Sequence, residues 1–303
     1  MSLQSVIDDI ANTVAPLVGQ GTVADYIPAL ACVDPCQFGI AIHTKDGETF
    51  HSGDAQTEFS IQSISKVLGL TLSVEHHGRQ LWKRVGLEPS GDPFNSLVQI
   101  EHEQGIPRNP LINAGAILIA DTLLSAYDDP IQELLSFIEY QTCQRPSIDE
   151  EVAASEKATG FRNSAMANLM KSFGNLHHSV DDVLDVYFNQ CSIKSNCVQL
   201  AETFAFLACD GSQPVSKRQI VTPRRARRIN ALMLTCGTYD RAGEFAFEVG
   251  LPAKSGVGGG IVAIVPNQMA VCAWSPALSE SGNSVAATEA LRLFAERTGY
   301  SIF

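Results

Sequence analysis

Several markers of common protein classes are missing from this 303-residue chain. No apolar stretch approaches the roughly 18 residues of a membrane span, so no transmembrane helix is expected. Residues 1–9 have no basic n-region and place Asp8 and Asp9 where a signal peptide would be apolar. The protein is therefore expected to be cytoplasmic. The eight cysteines (Cys32, Cys36, Cys143, Cys191, Cys197, Cys209, Cys236 and Cys272) contain no Cys-x-x-Cys pair. Most sit in apolar surroundings, such as Phe206-Leu207-Ala208-Cys209, which reads as buried thiols in a reducing cytosol rather than disulfides or metal ligands. The histidines form no His-Glu-x-x-His, and the adjacent pairs His76-His77 and His177-His178 do not share a helix face. Basic residues are scarce: 21 Lys and Arg against 33 Asp and Glu give a net charge of -12. That balance argues against nucleic acid or an anionic membrane as a partner. The one basic cluster, Arg224-Arg225-Ala226-Arg227-Arg228, spreads around two faces of a helix and suits solvation or a subunit contact.

What is present, with 45% hydrophobic and 18% charged residues, is ample material for a large core. Residues 3 to 19 have the apolar period of an amphipathic helix. From Phe38 to Thr44 the pattern is β-like, and Lys45-Asp46-Gly47 turns the chain back through Thr49-Phe50-His51. A helix is expected at 63–75, then an irregular Gly/Pro-punctuated loop at 86–93. Ala- and Leu-rich helical runs follow at 113–126, 131–142, 161–172, 179–190, 197–209 and 223–235. β character returns at 259–265 and 269–274 around a Pro266-Asn267-Gln268 turn, before a last helix at about 283–298. The pattern predicts an α/β (α+β) fold in which strands from both ends of the chain build one antiparallel sheet flanked by helices. It reads as a single domain, 1–303, with two lobes: about 1–62 and 240–303 carrying the sheet, and about 63–239 mainly helical.

Ser63-Ile64-Ser65-Lys66 sets a hydroxyl and an amine one helical turn apart, on the same face. An unprotonated Lys66 can take the proton of Ser63 and turn it into an attacking alkoxide. Much later come Lys254-Ser255-Gly256 and Val257-Gly258-Gly259-Gly260. Ser-x-x-Lys followed by a late Lys-Ser/Thr-Gly is the motif pair of serine β-lactamases and penicillin-binding proteins. A lysine base needs its pKa lowered from about 10.4, by burial or a nearby cation, and Lys254 is a candidate for that cation. The glycines lead into a β-branched strand rather than a helix, so no dinucleotide is expected there. They instead let the backbone approach a ligand closely, with the N–H groups of Val257 and Ser63 as oxyanion donors.

From about residue 20 to 298 the chain resembles the serine-dependent glutaminases of bacterial type, which share the β-lactamase/transpeptidase-like fold. The stretches carrying the resemblance include 24–28, 59–67, 88–96 and Asn109-Pro110-Leu111-Ile112-Asn113-Ala114-Gly115. Ser155-Glu156 with Arg162-Asn163, Tyr187-Phe188-Asn189-Gln190-Cys191-Ser192, Thr235-Cys236-Gly237-Thr238-Tyr239-Asp240, Lys254-Ser255-Gly256-Val257 and Gly282-Asn283-Ser284-Val285 complete them. The resemblance implies an amidohydrolase that converts L-glutamine to L-glutamate and ammonia through a γ-glutamyl-serine intermediate. By it Ser63 is the nucleophile, Lys66 the base, and Tyr187, Tyr239 and the Val257 backbone complete the catalytic set. It maps substrate contacts onto Tyr26, Asn113, Glu156, Asn163, Tyr187, Tyr239 and Val257. Each suits free glutamine: Glu156 for the α-ammonium, the Asn163 amide and a tyrosine hydroxyl for the α-carboxylate. Tyr239 is expected close to Ser63 and Tyr187 in the cavity wall. Neither a metal nor an organic cofactor is implied, and a homo-oligomer, often a tetramer, is.

Two other functions use the same residues. A β-lactamase or D-Ala-D-Ala peptidase shares the acyl-serine machinery, and a silent amino-acid-binding module shares the cavity. Taken singly, Glu156 reads as an exposed helix acid, Tyr187 as a core aromatic, and Ser63 and Asn113 as helix caps. The ordered set overrides those readings.

Overall fold

The structure, a computed structural model, describes residues 2–90 and 96–303. Twelve α-helices lie among the described residues. They are α1 (Leu3–Val14), α2 (Ser65–His77), α3 (Val98–His102), α4 (Asn113–Ala126), α5 (Pro130–Thr142) and α6 (Glu150–Thr159), then α7 (Phe161–Ser172), α8 (Val180–Cys191), α9 (Cys197–Ala208), α10 (Pro223–Cys236), α11 (Ala242–Glu248) and α12 (Val285–Thr298). The strands are β1 (Gly39–Thr44), β2 (Thr49–Gly53), β3 (Phe59–Ser60), β4 (Lys194–Ser195), β5 (Ala253–Ser255), β6 (Gly260–Val265) and β7 (Met269–Trp274).

Five strands form one antiparallel sheet in the order β2-β1-β7-β6-β5. The hairpin β1–β2 comes from the start of the chain and β5–β7 from its end. They are joined by β1 pairing with β7, from Gly39 opposite Trp274 to Thr44 opposite Met269. Every residue of β1, β6 and β7 is buried, because helices cover both faces. The period of two then divides the strands between two cores. Ile40, Ile42, Ile261, Ala263, Val271 and Ala273 pack with Ile7, Ile10, Leu291 and Phe294 of α1 and α12. Their neighbours Ala41, Val262, Ile264, Ala270 and Cys272 face the opposite core, which holds α9 and the central helices. Helix α9 is buried on nearly all sides, as its apolar composition requires.

The expected helices at 113–126 and 161–172 match α4 and α7. At the first helix the α-helical part ends at Val14, and Pro16 sits in a 3-10 turn over Ala15–Leu17. Helices α3 and α11 and strands β3, β4 and β5 were not anticipated, and α6 was expected only as a helix around Glu156, without bounds. They are short, and α6 buries only Val152 and Glu156, so it has no apolar period to read. Of the loop expected at 86–93, residues 86–90 are irregular and the remainder lie outside the described residues. No described helix is long and apolar enough to cross a membrane.

Candidate active site

Strand β3 leads directly into the Ser-x-x-Lys segment. The Ile61 N–H donates to the Ile193 carbonyl, and Gln62–Ile64 then form a 3-10 turn that runs into α2. Gln62 has φ of 49°, a left-handed conformation that costs a residue with a Cβ. Its surroundings hold it there. Gln62 Nε2 donates to Ser60 Oγ at 3.0 Å and to Glu156 Oε1 at 2.8 Å, while its carbonyl accepts from Ser65 Oγ at 2.7 Å. The turn presents Ser63, 8% exposed, ahead of α2. Neither the 3-10 turn nor α2 has a side-chain cap, so the Ser63 hydroxyl is not used as one.

Lys66 lies in the first turn of α2 and is 1% exposed. Its Nζ donates to Asn113 Oδ1 at 2.6 Å, and Asn113 Nδ2 in turn donates to Asn163 Oδ1 at 3.1 Å. Burial lowers the Lys66 amine to about 8, while the nearby acidic groups, the Glu156 carboxylate among them, act in the opposite direction. The cation suggested for this task, Lys254, is not among the causes. It is itself fully buried in β5 and pushed well down, first by burial and then by Lys66. Lys254 Nζ donates to the carbonyls of Gly237 at 2.9 Å and Ser255 at 2.6 Å, and lies 4.6 Å from the centre of the Tyr239 ring. Through those bonds it ties β5 to the segment carrying Tyr239. The Tyr239 hydroxyl is hydrogen-bonded to the side chains of Ser63 and Ser255, and burial pushes its pKa to about 12.

The glycines after Ser255 bring the late segment onto the early one. A Cβ at Gly256 would stand 2.6 Å from the Ile61 carbonyl oxygen and 3.3 Å from the Ser63 nitrogen. One at Gly258 would stand 2.1 Å from the Ser60 carbonyl oxygen. Only hydrogen fits between these backbones. Val257 is thereby set beside Ser63, and its side chain packs with Ala24, Ile27, Leu30, Val152 and Leu278.

Ser63 and Val257 line one cavity of about 490 Å³, shared with Tyr26, Asn113, Glu156, Asn163 and Tyr187. Seven of the residues named from the sequence thus share a wall. Lys66, Tyr239, Lys254, Ser255 and Gly256 stand behind it. Tyr26 is 57% exposed at the mouth. Glu156 is not the exposed helix acid its local sequence suggests: it is 6% exposed. Burial raises its pKa to about 7, and the Gln62 hydrogen bond and the Lys66 charge pull the other way. Gly160 separates α6 from α7, so Glu156 and Asn163 reach the cavity from two helices. The Tyr187 hydroxyl is pushed well up by burial. Sequence reasoning passed over Gln62, Cys191, Phe161 and Arg162, which also line the cavity. Cys191 ends α8 as a buried thiol beside Tyr187 and Ser65. Gln62, Arg162 and Cys191 lay within stretches carrying the family resemblance but were given no role, and Phe161 had only its place beside Arg162. The arrangement offers a hydroxyl with a buried amine one turn on, and, in the wall of the same cavity, Val257, a carboxylate and amide side chains.

The glutaminase family model matches residues 21–303. The chain belongs to the glutaminase family. It is 55% identical to a glutaminase of Agrobacterium fabrum, over 99% of this chain and 98% of that protein. A thermolabile glutaminase of Rhizobium etli is 54% identical over the same shares. Among solved structures, the covalent complex between a Bacillus subtilis glutaminase and 5-oxo-L-norleucine, formed by reaction with 6-diazo-5-oxo-L-norleucine, is 35% identical. It superimposes with a TM-score of 0.90 over all of both chains. The fold is the β-lactamase-like one of the family's bacterial members.

Proposed function

We propose that the protein hydrolyses L-glutamine to L-glutamate and ammonia through an ester between the γ-carbonyl and Ser63 Oγ. The observation that carries this reading is the buried Lys66 amine, lowered to about 8, one turn from a serine in the wall of a cavity that also holds Glu156. The neutral amine accepts the Ser63 proton as Oγ attacks the side-chain amide carbon. The oxyanion is held by the N–H groups of Ser63 and Val257, which the close approach at Gly256 supports. Collapse of the tetrahedral adduct breaks the C–N bond, and the departing nitrogen takes a proton through Lys66 or Tyr239. Water then attacks the ester by the same route, releasing glutamate and restoring the Ser63 hydroxyl.

Glu156 receives the substrate α-ammonium, while the Asn163 amide and the hydroxyl of Tyr26 or Tyr187 donate to the α-carboxylate. Asn113 is within reach of both the base and the substrate. The reaction of a relative with a diazo ketone to give a covalent complex supports a nucleophile in this cavity. Free buried thiols at Cys191, Cys197, Cys236 and Cys272 suit a cytoplasmic setting, and the family likeness supports a homo-oligomer, expected to be a tetramer. The test is Ser63→Ala, assayed for ammonia release with asparagine and a cephalosporin as parallel substrates of the parent protein. The substitution abolishes glutamine turnover with unchanged circular dichroism; turnover retained in the folded variant would remove the mechanism.

A further inference from the structure

Helix α10 begins with four arginines in its first six residues and no acid in its first turn. Cations are unfavourable at the positive end of a helix, and like charges four residues apart repel. Two of the four are compensated: Arg225 meets Glu75 at 2.5 Å, and Arg227 meets Asp210 at 3.8 Å. Arg224 and Arg228 share the remaining face. With Arg79, from the 3-10 turn after α2, they make no ion pair among the described residues. These three guanidinium groups and Trp82 form the wall common to two adjoining cavities, of about 290 and 630 Å³. Among the described residues Glu88 is the only carboxylate lining either cavity, and Leu87 and Leu232 supply apolar surface in the larger one. Neither cavity shares a residue with the one that holds Ser63.

We propose that this groove binds a small polyanion with a flat apolar body, the chemistry of a nucleoside di- or triphosphate. Guanidinium forks match phosphate oxygens two at a time, and three of them from two elements fix an oligophosphate. Trp82 between them offers a face on which a heterocycle stacks. Bound phosphate also cancels the charge repulsion that α10 otherwise carries. The -12 balance of the whole chain disfavours a long nucleic acid and leaves a small ligand as the fitting anion.

The experiment titrates ATP, tripolyphosphate and inorganic phosphate into the full-length protein, read by calorimetry and by tryptophan emission. The expected result is one saturable ATP site that quenches Trp82 and is competed by tripolyphosphate. The other tryptophan, Trp274, is 1% exposed. The double variant Arg224→Gln/Arg228→Gln weakens ATP binding by at least about tenfold while glutamine turnover is unchanged. No saturable heat with millimolar ATP, or equal affinity in the double variant, overturns the proposal. So does phosphate binding as tightly as ATP, since the apolar body would then contribute nothing. A fall in sedimenting mass in the double variant, without ligand binding in the parent, would make the face a subunit contact and overturn it too.

Discussion

Lys66 on α2 and Asn113 at the start of α4 are joined by a hydrogen bond of 2.6 Å, with the lysine nitrogen as donor. A neutral amine that gives one hydrogen to Asn113 keeps its lone pair for the Ser63 hydroxyl one turn earlier. Removing the acceptor frees the amine to rotate. We expect Asn113→Ala to lower kcat by about ten- to a hundredfold, the cost of one hydrogen bond to a group that can be charged. KM rises as well, because Asn113 also lines the cavity. Steady-state ammonia release measures both, and an unchanged kcat would remove Asn113 from the positioning of the base.

Two groups set the pH dependence: burial shifts their pKa values in opposite directions, and both make the enzyme more active as pH rises. Lys66 acts as a base only when unprotonated, so kcat climbs as pH rises through about 8. Glu156 accepts an ammonium only when ionised, so kcat/KM falls as pH drops through about 7. The lysine also leaves a mark on stability. Its folded pKa lies below the unfolded value, so the unfolded chain binds more protons between the two, and stability rises with pH across that window. A Lys66→Met variant loses turnover and flattens this part of the stability profile, as read by denaturant midpoints.

Glu156→Gln keeps the shape and an acceptor for Gln62 Nε2 while removing the charge. KM for glutamine is expected to rise by about ten- to a hundredfold, with a smaller change in kcat. Because the Glu156 charge raises the Lys66 pKa, the ascending limb of the kcat profile should also move to lower pH. A rise in KM without that movement would separate substrate binding from the coupling of the two groups.

Gly256→Ala places a methyl group 2.6 Å from the Ile61 carbonyl oxygen, and backbone cannot step aside as a side chain does. A loss of about 1–3 kcal/mol of stability is expected, with a fall in kcat as the Val257 N–H moves from Ser63. Gly258→Ala, at 2.1 Å from the Ser60 carbonyl oxygen, is more severe. Gly243→Ala in α11 meets nothing within 4 Å and serves as the control, neutral or slightly stabilising. Equal behaviour of all three would mean that the two backbones are not held in contact.

The amino-acid sequence by itself determined whatever depends on near neighbours. Ala- and Leu-rich runs placed α4 and α7, and short apolar runs rich in β-branched residues placed β1, β6 and β7, because burial writes itself into local composition. The Ser63–Lys66 pair was legible for the same reason: three residues make almost one turn. Short or polar elements were not. Helix α6 has almost no apolar face, so its bounds went unread, and β5 holds a lysine in its centre and was missed.

Only the tertiary structure decided the electrostatics of the site. Glu156 is buried because α6 lies over the cavity, and Gln62 is held left-handed because Ser60 and Glu156 converge on its amide. Lys66 and Lys254 are both pushed down chiefly by desolvation, and the Lys66 charge lowers Lys254 further. Desolvation is the summed exclusion of water by every element packed around a group, and no stretch of sequence near Lys66 carries that sum.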